Sequence, residues 1–330
     1  MIDPEAPVRE PSGFIGQAGL VRRVFSRIGA DRPQSVAVIG GKKSGKTSLL
    51  AYISAPGVAA RLLEGVERFL LVSMCADCEA AKSPESFLAG LEGLLPASAG
   101  GANHYESIRK SIEELHAAGR RLVVLLDDFH FITSNERFPL EFFSFLRSMA
   151  NNYNLAYVTT SFLELQKLCV IKDVQESPFF NIFTNMHLGM LSNDEAKLLF
   201  VRATGMGDEL AGRVAAWCGS SPFLLKKAGA RLAREKAPDA LPEANLERIL
   251  FPEAAPYFEE VISLLPPEAL KPLQSIARGK SPDPSEIHHL SSLVKQGFLV
   301  ETEDAVSCFS PAFLLFLRKA LAARMLKGKG

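Results

Sequence analysis

The segment Gly40-Gly41-Lys42-Lys43-Ser44-Gly45-Lys46-Thr47 constrains this chain more than any other part of it. It reads G-x-x-x-x-G-K-[ST], directly after the apolar run at 35–39 and directly before the helical stretch that opens with Ser48. The order strand, glycine loop, helix has a chemical purpose. Gly40 and Gly45 let the chain curl until backbone amides converge on phosphate oxygens. The helix behind the loop turns its free N–H groups and positive dipole end toward the same anion. In such a loop Lys46 reaches β- and γ-phosphates and the Thr47 hydroxyl ligates Mg2+, while Gly41, Lys42, Lys43, Ser44 and Ser48 complete the cradle.

A second motif supplies what that cradle lacks. Leu122-Val-Val-Leu-Leu-Asp127-Asp128 is an apolar strand that ends in two carboxylates, at the edge where parallel sheets bind ligands. One acid is needed to hold the metal through water and another to orient or deprotonate an attacking water, so Asp127 is assigned to Mg2+ and Asp128 to the water. The next apolar run, 155–161, ends Thr159-Thr160-Ser161. Thr160 or Ser161 could sense the γ-phosphate from there, and alternation does not decide between them.

Strand-like runs at 35–39, 69–74, 122–126, 155–160 and 186–188 alternate with amphipathic stretches. That pattern predicts an α/β fold with a mainly parallel sheet. From Leu191 strand signals fade, and Ser192-Asn-Asp-Glu195 reads as a capping box opening a helical region. Helices are expected at 193–200, 208–217, 222–236 and 245–250. A third unit near Pro256 is expected to hold helices at 257–264, 267–278 and 285–296, a hairpin around 302–305 and a closing helix at 313–326, a winged-helix pattern. The boundaries expected are a flexible lead-in at 1–13, an α/β domain at 14–190, a helical lid at 191–254, a winged helix at 255–326 and a tail at 327–330.

Lys plus Arg and Asp plus Glu both number 37, so net charge is zero, and a broad nonspecific nucleic-acid footprint is disfavoured. No apolar run reaches the roughly 18–20 residues that span a bilayer. Five cysteines in so long a chain argue for reduced thiols and a cytoplasmic setting. Cys75-Ala-Asp-Cys78 has metal-like spacing but no second pair, and is read as a plain loop. His130 follows Asp-Asp-Phe and could lie near the γ-phosphate, but is expected rather to pack or solvate behind Phe129. Arg137 and Arg147 follow the second acid at distances that would suit an arginine finger, but are expected rather to lie on a solvated helix face.

With these residues placed, the chain resembles the STAND and archaeal-type P-loop ATPases of the AAA+ superfamily over roughly residues 14–326. The glycine loop and Leu-Leu-Asp-Asp-Phe match that group's two nucleotide motifs. Phe14-Ile15-Gly16 is similar to its hydrophobic–hydrophobic–Gly–Arg motif on the adenine side, with Gln17 in place of the arginine. Gly219-Ser-Ser-Pro222 is similar to its lid motif Gly-x-Pro, with serine before the proline. The resemblance implies strand order 5-1-4-3-2, a helical lid, a winged helix, ATP with Mg2+, and Pro222 near the adenine or β-phosphate. It implies a slow ATPase switch whose lid closes on ATP and engages a protein partner or a second copy. A nucleotide-gated scaffold with little hydrolysis and a DNA-binding initiator or loader are the alternatives. The expected wing is acidic and the expected recognition helix at 285–296 carries one Lys and one Glu, which disfavours the last.

Overall fold

The computed structural model describes residues 3–76, 79–97, 101–301 and 306–323. They form two compact units. One comprises Pro7–Gly40 and Lys46–Leu188; the other comprises Met1–Ala6, Gly41–Gly45 and Gly189–Gly330.

The first unit is built on five parallel strands: β1 (Ser35–Ile39), β2 (Phe69–Cys75), β3 (Arg121–Asp127), β4 (Leu155–Ser161) and β5 (Phe183–His187). Their order is β2-β3-β4-β1-β5, the order the resemblance implies. β1 and β4 are buried at every residue, and β3 at all but Arg121. Helices cover both faces, so these strands read as continuous apolar runs rather than alternating ones. On one face Val36, Val38, Val123, Leu125, Ala156 and Val158 pack with Leu49 and Ile53 of the helix Lys46–Ser54. On the other, Val124, Leu126 and Tyr157 meet a phenylalanine-rich layer that includes Phe87, Phe129, Phe142, Phe143 and Phe179. β5 begins earlier than its apolar signal, at Phe183, because its first residues lie half-exposed on an edge strand and need not be apolar.

The second unit is mostly helical. The capping box is present: Ser192 Oγ accepts from Glu195 N at 3.2 Å and a Glu195 carboxylate oxygen accepts from Ser192 N at 2.9 Å. The helix Asn193–Thr204 follows, then Asp208–Cys218 and Pro222–Leu232. Gly219 ends the middle one at φ 66°, and a Cβ there would sit 2.0 Å from the Phe309 carbonyl oxygen.

The separate helices expected at 245–250 and 257–264 are one helix, Glu243–Ser263, with Pro252 and Pro256 inside it. The two prolines are four residues apart and stand on one face. The missing N–H groups therefore fall along one side, while Leu246, Leu250, Ala254, Phe258 and Val261 are buried and hold the helix together. Then come Pro267–Ala277, Ile287–Lys295, the antiparallel pair β6 (Leu299–Glu301) and β7 (Val306–Cys308), and the helix Pro311–Ala322. That last helix starts before Phe313 because Ser310 caps it, its hydroxyl accepting from Phe313 N at 3.1 Å, with Pro311 at the first turn. The expected hairpin turn at 302–305, the last residues of the expected closing helix and the tail at 327–330 lie outside the described residues.

Residues 3–13 make defined contacts. Val8 N donates to Ser48 Oγ at 2.9 Å, Lys226 Nζ donates to the Ala6 carbonyl at 2.8 Å, and Pro11–Gly13 form a 3-10 turn.

Candidate nucleotide site

β4 ends where two other strands deliver their motifs. Gly40 N donates to the Ser161 carbonyl at 3.1 Å, and Phe129 N donates to the Thr160 carbonyl at 3.0 Å. Consecutive carbonyls of one strand therefore fix the first glycine of the loop and the turn after the paired acids. The register puts Leu126 opposite Thr159, which brings Asp127 level with Thr160.

The Thr160 hydroxyl, fully buried, donates to Asp127 Oδ1 at 2.5 Å and accepts from Asp128 N at 2.8 Å. The Ser161 hydroxyl turns away and donates to the Leu163 carbonyl. Asp127 closes β3 and is itself buried. Asp128 sits at φ 51°, a conformation uncommon for a residue with a side chain. It turns the chain out of the sheet, so one acid faces inward and the next is partly exposed.

Lys46 is buried at the start of its helix, and its ammonium donates to the Gly40 carbonyl at 2.9 Å, closing the loop on itself. Thr47 beside it is exposed. Gly41–Gly45 belong to the mainly helical unit. There Ser44 N donates to the Gly41 carbonyl at 3.2 Å, Lys43 has φ 60° and Gly45 φ 101°. Ser44 Oγ is buried with no hydrogen-bond partner among the described residues. Lys42 pairs with Glu260 and accepts at its carbonyl from the Tyr257 hydroxyl at 3.1 Å, while Lys43 pairs with Glu5.

The remaining expected residues are placed as follows. Phe14 stacks on Tyr52 with ring centroids 4.5 Å apart. Gly16 and Gln17 are both left-handed, at φ 83° and 59°, and Gln17 precedes the helix Ala18–Ile28. Ile15, between Phe14 and Gly16, is half-buried. Pro222 is the first residue of its helix, capped by Ser221, and Ser220 takes a left-handed φ of 63°. Cys78 lies outside the described residues. Arg137 is exposed and donates to the Lys82 carbonyl at 3.2 Å.

His130 is the residue the linear sequence did not resolve. Its ring contacts Phe131 and Phe162, with centroids 4.3 and 4.8 Å away. Its Nδ1 is buried without a hydrogen-bond partner among the described residues, 3.8 Å from Asp128 Oδ1. Burial, and secondarily the Lys46 ammonium, push its pKa down to about 4 against the opposing pull of Asp127. His130 is therefore neutral near pH 7, and the glycine-loop lysine and the strand-end acid both act on it.

Among solved structures the chain is similar to a Walker-type ATPase of Pyrococcus abyssi, at 15% identity and TM-score 0.66, covering 95% of this chain and 99% of that one. It is similar to the ORC2 protein of Aeropyrum pernix in ADPNP–ADP complexes, at 15% identity and TM-score 0.58, covering 98% and 96%. It is also similar to Cdc6p of Pyrobaculum aerophilum, at 13% identity and TM-score 0.50, covering 98% and 99%. At such identities these likenesses speak to the fold. No curated protein matches the chain. The family described as Novel STAND NTPase 2 matches residues 30–235, which include the glycine loop, both aspartates and β4. The chain belongs to the novel STAND NTPase 2 family, with the fold of a P-loop NTPase.

Proposed function

We propose that this chain is an ATP-binding switch ATPase that couples Mg-ATP binding and slow hydrolysis to closure of its helical lid and engagement of a protein partner or a second copy. The observation that carries the reading is the anchoring of Gly40 and of the Asp127-Asp128-Phe129 turn on the last two residues of β4. It mounts the glycine that opens the loop and the turn after the paired acids on one strand, β4, which lies between β1 and β3.

The residues fit the group they would hold. Among the described residues, the buried Ser44 hydroxyl has no hydrogen-bond partner and nothing lies within 4 Å of where a Cβ on Gly45 would stand. When bound, Mg-ATP supplies the γ-phosphoryl group and the divalent charge that offsets it. Lys46 and the loop amides would hold the phosphates, Thr47 and Asp127 the metal, and Thr160 would keep Asp127 in place. Asp128 would orient the attacking water and take its proton as the bond to the departing ADP breaks. Phe14, Ile15, Gly16 and Pro222 remain the proposed adenine-side and lid contacts.

Asp128 is one methylene shorter than glutamate, which favours slow turnover, and in the limit a nucleotide-gated scaffold. The DNA-loader alternative finds less support. The helix Ile287–Lys295 has one lysine and no arginine, whereas phosphate contacts need several cations. No helix among the described residues is long and apolar enough to cross a membrane.

Calorimetry with Mg-ATP and a phosphate-release assay test the reading. Lys46→Ala is expected to abolish binding, and Asp128→Ala to retain binding but slow turnover. Unchanged binding and turnover in both variants would refute it, and robust basal multiple turnover would exclude the scaffold.

A further inference from the structure

The acid assigned to the water is held at its backbone by Thr160. The Thr160 hydroxyl fixes Asp128 N, and the φ of 51° fixes where the side chain leaves the turn. His130 lies with its ring beside the Asp128 carboxylate. Its ring is set by Phe131 on one side and by Phe162 at nearly a right angle, 82° between planes. In that setting Nδ1, buried and without a hydrogen-bond partner among the described residues, faces Asp128 Oδ1 at 3.8 Å. That is about 1 Å beyond a hydrogen bond, within reach of a small side-chain adjustment.

We propose that His130 is the positioning residue for Asp128: its Nδ1–H holds the carboxylate in the orientation from which Asp128 addresses the attacking water. A neutral imidazole carries one N–H and one lone pair. The carboxylate opposite Nδ1 attracts an N–H and repels a lone pair, which selects the Nδ1–H tautomer and leaves Nε2 as an acceptor. Asp128 is then fixed twice, at its backbone by Thr160 and at its side chain by His130. A short acid restricted in this way loses less orientational freedom as the reaction proceeds.

The inference rests on the water-orienting role of Asp128, so its test has an arm independent of nucleotide. Long-range proton–nitrogen NMR of the apo protein reads the His130 tautomer in wild type and in Asp128→Asn. The expected result is Nδ1–H in wild type and a shift toward Nε2–H in the variant. Calorimetry with Mg-ATP and single-turnover hydrolysis are then compared for wild type, His130→Phe and His130→Asn. His130→Phe is expected to keep nucleotide affinity within about threefold and lose about tenfold or more in single-turnover rate. His130→Asn, whose amide N–H can take the place of Nδ1–H, is expected to recover a substantial part of that loss. An Nε2–H tautomer in wild type, hydrolysis by His130→Phe at the wild-type rate, or no recovery in His130→Asn overturns the proposal. Failure of wild type to bind Mg-ATP overturns the proposed function instead, and the apo tautomer still decides whether His130 holds Asp128.

Discussion

Replacing Thr160 by valine tests the center of the site with little change of shape. The substitution removes one hydroxyl that makes two bonds: it donates to the buried Asp127 carboxylate at 2.5 Å and accepts from Asp128 N at 2.8 Å. A hydrogen bond to a charged group contributes about 1.5–3 kcal/mol, and a buried donor left unpaired costs about 1–3 kcal/mol. Because valine leaves no cavity and Asp128 lies near solvent, the net loss should be about 2–4 kcal/mol. Urea unfolding followed by circular dichroism should show this as a midpoint lowered by about 1–2 M, with Thr160→Ser within about 0.5 M of wild type. A double-mutant cycle with Asp127→Asn isolates the pair and should give a coupling of about 1 kcal/mol or more. Mg-ATP affinity should fall more than that for metal-free ATP, because Asp127 is the proposed metal ligand. A Thr160→Val protein that unfolds at the wild-type midpoint, or effects that simply add in the cycle, would refute the reasoning.

Gly219→Ala should cost about 3 kcal/mol or more in thermal or urea unfolding, because the new methyl would meet the Phe309 carbonyl in a left-handed backbone. Ser192→Ala removes one half of the capping box and should cost about 1 kcal/mol, readable in the same assay. The imidazole of His130 should stay neutral on NMR titration from pH 8 down to about 4. The unfolded chain takes up that proton near the ordinary histidine value of 6.5, so its contribution to stability is present above that pH and is lost as pH falls toward 4. Tyr157 is buried, its hydroxyl donating to the Leu146 carbonyl at 3.0 Å, and burial pushes its pKa up. Ultraviolet titration of the native protein to pH 11 should therefore be the same in wild type and Tyr157→Phe.

Much of the α/β unit was legible because the sheet is covered on both faces. Burial on both faces left unbroken apolar runs at 36–39 in β1 and 155–158 in β4, and the glycine loop could be seen between such a run and a helix. The paired acids were legible for the same reason, as polarity arriving abruptly at the end of β3. What was not legible depended on register. Thr160 and Ser161 are adjacent and both polar, and only the pairing of β4 with β3 puts the Thr160 hydroxyl against Asp127. His130 was undetermined for a similar reason: Phe162 and Lys46, which shape its surroundings, come from distant parts of the chain. The helix Glu243–Ser263 was read as two because proline is a strong local stop signal, and burial of its apolar face overrides that signal.

The dependence of both motifs on the tip of β4 has a consequence for how the protein is made. Lys46, Thr47, Asp127 and Asp128 are all synthesised before β4, yet the bonds from Gly40 N and Phe129 N to the Ser161 and Thr160 carbonyls form only once those residues leave the ribosome and β4 slots between β1 and β3. A nascent chain halted before Leu155 should therefore carry the whole phosphate motif and grip no nucleotide, so ligand capture would mark the moment the middle of the sheet is filled.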